Sequence, residues 1–202
     1  MTSTSLPPLR VLVLAGSSRQ GSYNQALAQA ALQALRAAGA TATLGDLRAL
    51  ALPIYDGDLE SAQGVPEGAR TLREWVGTHD ALVVVSPEYN ALPTPLLINS
   101  FDWLSRLGAE APWPAGAELT AGKVVGLLAA SPGALGGLRA LPIVRQFLST
   151  NFGMLVVPEH FGLSRAHEAL NVDGTFKEVS HQRSLDRVVQ GVLRVAGALK
   201  KQ

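Results

Sequence analysis

Short apolar runs alternate with helical spacings along this 202-residue chain. Leu9 to Ala15 is an almost unbroken apolar stretch and predicts a buried strand. Tyr23 to Ala38 places leucines at 27, 32 and 35 among alanines, which predicts a helix stopped by Gly39. Thr41 to Leu47 predicts a second, weaker strand, and Leu50 to Gly64, holding Pro53, Gly57 and Gly64, a long loop. Pro66 opens a helix reaching about Thr78, since proline is favoured in a first turn. Ala81 to Ser86, Lys123 to Ala130 and Met154 to Val157 are the third, fourth and fifth strands. Thr94 to Leu107 and Gly137 to Asn151 predict helices between them, and Ala109 to Gly122, rich in Pro, Gly and Ala, a surface loop. Phe176 to Lys200 predicts a long terminal helix containing Gly191 and Gly197.

Five strands alternating with five helices imply a parallel sheet covered on both faces, with right-handed crossovers. The fold expected is therefore one three-layer α/β/α domain over residues 1–202, with flavodoxin-like strand order 2-1-3-4-5. Residues 1–8 are expected to be disordered. Met1 to Arg10 is polar and proline-containing and lacks the apolar core of a signal peptide.

Composition narrows the chemistry. Hydrophobic residues make up 47% of the chain, enough for a sizeable core. The net charge is +1 and no basic stretch is interleaved with aromatics, so no nucleic-acid partner is expected. With no cysteine, disulfides, thiolate metal sites and a cysteine nucleophile are excluded, and redox chemistry would need a bound cofactor. His79, His160, His167 and His181 lack metal-ligand spacing. No apolar run approaches the roughly 20 residues that span a bilayer, so no membrane partner and a cytoplasmic location are expected.

The candidate chemistry lies in three loops after strands. In the first, Gly16 to Asn24, the start of a helix offers unpaired N–H groups and the positive end of its dipole. Ser17, Ser18 and Ser22 add hydroxyls, and Arg19 can grip a phosphate through charge-assisted bonds. Asn24 can pin the loop or donate to the phosphate. Gly16 and Gly21 fit a G-x-x-x-x-G frame, but Ser22-Tyr23 stands where a P-loop needs Lys then Ser or Thr. The alternative is a plain strand-to-helix turn whose serine caps the helix.

In the second loop, Pro87 and Asn90 shape the chain so that its backbone can face a flat ring, and Tyr89 can pack on or beside that ring. Glu88 is expected to be a solvated charge whose backbone, rather than carboxylate, matters. The alternatives are an ordinary Pro-Asn turn or a tyrosine filling the core. The third loop holds Ser131, Gly133, Gly136 and Gly137, and glycines let backbone approach a ligand without a Cβ. Its alternative is a loop that simply requires positive φ. Jointly, the three loops suggest a site for flavin mononucleotide (FMN).

Elsewhere, Trp75 and Trp103 are expected in core or interface, Trp113 over a site or partner, and Asp46 as a capping carboxylate. Ser131, His160 and Asp186 do not make a hydrolase triad, because no G-x-S-x-G elbow is present.

At these loops the chain resembles the NADPH-dependent FMN reductase family, which includes flavin, quinone, azo and chromate reductases. The resemblance rests on Gly16, Ser17, Arg19, Ser22 and Asn24; on Asp46-Leu47-Arg48, Leu52 to Tyr55 and Asp58 to Glu60; on Pro87 to Asn90; on Asn99, Asp102, Trp103, Ser105 and Arg106; and on Ser131 to Gly133 with Gly136 to Ala140. It covers nearly the whole chain. It implies an enzyme moving hydride from NADPH or NADH through FMN to a small-molecule acceptor, with no catalytic side chain required. The cofactor-binding residues it implies are Ser17, Ser18, Arg19, Ser22, Tyr23, Asn24, Pro87, Glu88, Tyr89, Asn90, Ser131, Gly133, Gly136 and Gly137. Leu92, Thr94-Pro95 and Ile98 depart from the family pattern and make the floor of the site more apolar.

A homodimer or homotetramer is also expected, because the helix Thr94 to Leu107 carries more apolar residues than one buried face needs. A flavodoxin-type electron carrier is disfavoured, since such carriers are strongly acidic and this chain is near neutral. A flavin-binding regulatory module without turnover is the third reading.

Overall fold

A computed structural model describes residues 7–171 and 174–200. The expectation of disorder for residues 1–8 lies outside them, apart from Pro7 and Pro8, which are exposed. The sheet is all parallel in the order β2-β1-β3-β4-β5. Its strands are β1 (Arg10–Ala15), β2 (Thr41–Asp46), β3 (Ala81–Val85), β4 (Val124–Ala130) and β5 (Leu155–Leu163). The helices are α1 (Tyr23–Ala37), α2 (Gly57–Gln63), α3 (Glu67–Gly77), α4 (Pro95–Ser105), α5 (Gly116–Thr120), α6 (Ala140–Phe152), α7 (Ala166–Ala169) and α8 (Val179–Leu199).

The unbroken apolar runs follow from burial on both faces. Successive β1 residues serve opposite cores: Val11 and Val13 pack under α1 and α8, Leu12 and Leu14 against α3, α4 and α6. β3 is buried at every position and divides its side chains in the same way. This two-sided packing fixes the register that brings the loops after β1, β3 and β4 to one edge.

Three segments differ from expectation. The presumed loop Leu50–Gly64 contains α2, capped by Asp56, whose carboxylate accepts from the Asp58 and Leu59 N–H groups. The presumed loop Ala109–Gly122 contains α5. β5 runs six residues past Val157, through a register shift opposite Val125–Leu127 that accommodates Pro158. All three were hidden because Gly and Pro signal turns locally, whereas tertiary contact decides what lies between them.

The apolar residues of α4 are largely used at home. Leu97, Phe101, Trp103 and Leu104 are fully buried, and only Leu96 and Ile98 are half-exposed. The Trp103 indole donates to the Pro53 carbonyl at 2.7 Å, which clamps the segment after β2 to this helix. Trp113 packs on Gly77, where an added Cβ would lie 2.3 Å from its ring, so it serves the fold rather than a site. Asp46 caps the turn after β2 through the Arg48 N–H, as expected.

At the amino-terminal edge of the sheet, His79 is buried between the Thr43 hydroxyl and the Trp75 carbonyl, each 2.6 Å from a ring nitrogen. Burial holds its pKa below the usual histidine value, outweighing the Trp75 bond, and the charges of Arg10 and Lys123 act in the same direction. The folded state therefore binds this proton less readily than the unfolded chain. Its contribution is complete above about pH 6.5 and declines as pH falls below that value towards the folded pKa. The urea midpoint is expected to drop between pH 7 and pH 5.5, and His79→Gln to flatten that slope. An unchanged slope in the variant would count against this.

Candidate cofactor site

A cavity of about 380 Å³ opens at the carboxyl ends of β1, β3 and β4. Its lining joins residues from all three loops: Ser17, Arg19, Ser22, Tyr23, Asn24, Pro87, Glu88, Tyr89 and Ser131. Pro132, within the Ser131 to Gly133 match, and Ala130, which sequence reasoning did not single out, complete it. Ser18, Asn90, Gly133, Gly136 and Gly137 do not line it.

The first loop is held from several sides. The Thr94 hydroxyl donates to the Gly16 carbonyl at 2.7 Å, Gln25 to the Ser17 carbonyl at 3.1 Å, and Arg48 to the Ser18 carbonyl at 2.8 Å. Ser18 is thus a loop anchor with an exposed side chain. With the carbonyls engaged from outside, the Tyr23 and Gln25 N–H groups at the start of α1 have no intrahelical acceptor and remain available to an anion. Ser22 caps α1 by accepting from the Asn24 N–H at 3.2 Å, which leaves its own hydroxyl proton free to donate.

Asn24 pins rather than grips. Its side chain donates to the Ala130 carbonyl at 2.7 Å and accepts from the Ala130 N–H at 2.9 Å. The Leu128 carbonyl accepts from Ser86, and the Ala130 groups point the same way, just where β3 has turned off at Pro87. Asn24 replaces the missing strand, so its side chain is not spare for a phosphate.

The second loop is a two-residue turn. Tyr89 and Leu92 exchange backbone bonds of 2.8 and 3.0 Å, while Asn90 and Ala91 have φ of 53° and 69°. Both central residues at positive φ favour asparagine, so Asn90 is there for its backbone. Tyr89, on the cavity lining, and Leu92, paired with it across the turn, remain about half-exposed.

Glu88 departs from its expected role as a solvated charge. Its carboxylate accepts from the Arg139 N–H at 3.0 Å, the Ala140 N–H at 3.3 Å and Arg139 Nε at 2.8 Å, with a further short contact to Arg139 Nη2. It caps α6, which has no capping side chain of its own. Burial acts to raise the Glu88 pKa, but the Arg139 bonds and charge, with the two backbone donors, hold it below the usual carboxylate range.

The third loop also has a different logic from the one expected. Gly136 and Gly137 are buried, with φ of 62° and 84°. A Cβ on Gly136 would lie 2.6 Å from the Ser164 nitrogen, and one on Gly137 2.8 Å from the Ala129 Cβ. Their missing side chains admit the protein's own strands. The Gly133 N–H donates to the Ser131 hydroxyl at 3.1 Å.

The donor set fits a flavin phosphate. α1 has no acidic residue in its first turn, two serine hydroxyls flank it, and Arg19 adds a charge that no carboxylate pairs among the described residues. The Arg19 guanidinium lies 5.5 Å over the Tyr23 ring. A larger concavity of about 510 Å³ at the opposite edge has no such set, because Lys123 already donates to the His79 carbonyl and Lys200 to Asp80, both at 2.7 Å.

A doubly wound sheet with an anion cradle after β1 and a ring-sized rim after β3 defines a flavodoxin-like flavoprotein. Residues 9–168 match the model of the NADPH-dependent FMN reductase family, and the chain belongs to that family. It is accordingly an FMN-dependent NAD(P)H oxidoreductase. It is 33% identical to a quinone reductase of Escherichia coli, over 89% of each chain. It is 36% identical to an NAD(P)H-dependent FMN reductase of Pseudomonas aeruginosa, over 69% of each. Among solved structures it matches the flavoenzyme NAD(P)H:(acceptor) oxidoreductase FerB of Paracoccus denitrificans with TM-score 0.74 and 26% identity, covering 94% of this chain and 98% of that one.

Proposed function

We propose that the chain is a quinone reductase. The observation that carries this reading is the half-exposed Tyr89 ring on the cavity lining, with Leu92, bonded to it across the turn, adding exposed apolar surface beside it. A flat, uncharged ring suits such a surface better than chromate or another small anion. The relatives named quinone reductases in Escherichia coli and Pseudomonas putida favour the same acceptor. FMN, when bound, would supply two-electron chemistry between NAD(P)H and the acceptor. The chain's own residues would hold and orient it: Ser17, Ser22 and Arg19 would take the phosphate, while Pro87 and Tyr89 would border the ring. In steady-state assays with NADPH, benzoquinone is expected to give a higher kcat/KM than free FMN, an azo dye or chromate. A preference for free FMN would overturn the acceptor without touching the flavin site.

Arg19 provides the check on orientation. Arg19→Ala is expected to weaken FMN about tenfold, or roughly 1.4 kcal/mol, because a charge-assisted bond to phosphate is lost. Riboflavin, which has no phosphate, should bind both proteins alike in fluorescence titrations. Equal weakening of the two flavins would place the phosphate elsewhere.

The active form is a homodimer or homotetramer. Ile54 is 86% exposed on a segment clamped to α4, and Leu92 and Pro95 are exposed at the start of that helix. Together they form an apolar flank that a second copy would cover. A monomer in light scattering at micromolar concentration would overturn this. No helix among the described residues is long and apolar enough to cross a membrane, and dependence on NAD(P)H favours the cytoplasm.

A further inference from the structure

A second cavity, about 440 Å³, shares a wall with the flavin cavity. Ser22 and Tyr23 line both. The second runs along α1 past Gln25, Ala26 and Gln29 to Ala166, His167, Leu170 and Asn171. It therefore begins where the flavin phosphate cradle ends.

The lining has a recognisable chemistry. Ala26, Ala166 and Leu170 supply apolar area, with the Tyr23 ring at the entrance. Gln25, Gln29 and Asn171 place three carboxamides around that area. Carboxamides are the side chains that pair with the amino and ring-nitrogen edge of adenine, donating and accepting at once. Gln29 is exposed and Gln25 uses only its N–H group on the Ser17 carbonyl, so acceptor and donor capacity remain. At the seam, Arg19 stands over Tyr23 and supplies a cation beside both cavities. A pyrophosphate spanning the seam would bring its second phosphate within reach of the same arginine that serves the first.

The geometry points to an adenylate subsite: the second cavity takes the AMP half of a dinucleotide reaching over the Ser22–Tyr23 wall. FAD is the dinucleotide favoured, because its flavin phosphate sits at that wall when its ring occupies the first cavity. The inference rests on the flavin reading of the first cavity. It makes the protein competent for FAD as well as FMN.

The test uses flavin-stripped protein, titrated with FMN and with FAD by fluorescence quenching, in wild type, Ala26→Trp and Gln29→Leu. Ala26→Trp fills the cavity, and Gln29→Leu removes one carboxamide at an exposed position that is safe for folding. Wild type is expected to bind FAD within about threefold of FMN. Ala26→Trp should weaken FAD at least tenfold and Gln29→Leu about threefold, with FMN unchanged in both. A parallel arm compares KM for NADPH with KM for reduced nicotinamide mononucleotide in the FMN-loaded proteins. If the FAD:FMN ratio stays constant but the variants raise KM only for NADPH, the adenylate belongs to the hydride donor and the subsite stands. If neither ratio moves, or wild type binds FAD more than tenfold more weakly than FMN and the KM ratio is also unmoved, the subsite is overturned and the flavin site survives. Failure of both flavins to bind overturns the two together.

Discussion

Asn24→Ala is expected to lower folding stability by about 3 kcal/mol, because the Ala130 N–H and C=O lose their partners in a buried place. The same change should weaken FMN at least tenfold, since α1 and its cradle are then free to shift against the end of β4. Asn24→Asp should not rescue. It keeps an acceptor for the Ala130 N–H but sets a carboxylate oxygen against the Ala130 carbonyl. Urea unfolding gives the first quantity and flavin titration the second. A loss of under 1 kcal/mol in the alanine variant, or full stability in the aspartate, would show that the carboxamide bridge is not what closes this edge.

Glu88→Ala is expected to cost about 2 kcal/mol, combining the lost cap of α6 with the lost charged pair to Arg139. The figure is set low because Arg139 is 59% exposed. The amides of Arg139 and Ala140 should exchange with solvent faster in the variant. Glu88→Gln should recover part of the loss, since its carbonyl oxygen can still accept from one of those amides. The loosened ring loop should raise KM for the acceptor more than it lowers kcat. The sign of the pH dependence follows from the depressed carboxyl. The Glu88 contribution is complete above the unfolded value of about 4.3 and is lost as pH falls through the lower folded value. Unchanged amide exchange in Glu88→Ala would return Glu88 to the role of a solvated charge.

The strands and main helices were legible because each carries a period that burial enforces. A strand covered on both faces cannot admit a charge, so β1, β3 and β4 announce themselves as apolar runs. The cradle after β1 was legible too, as hydroxyls and an arginine beside a helix start are an unusual local combination. Asn24 shows the limit of that reading. Its position was visible, but the choice between gripping a ligand and bridging to Ala130, 106 residues away, was not.

What the sequence by itself determined is the layered α/β fold, its strand order and the three loops that meet at one edge. The layers are properties of local period and of the one-handed crossover rule, and the order follows from the flavodoxin-like pattern that the alternation of strands and helices suggests. Tertiary structure alone decided the rest. It showed that Glu88 caps a helix 51 residues on, that Gly136 and Gly137 make room for the protein's own strands, and that a second cavity continues past the phosphate cradle. Each depends on which backbone groups lie within 3 or 4 Å across the fold, a distance that no spacing along the chain encodes.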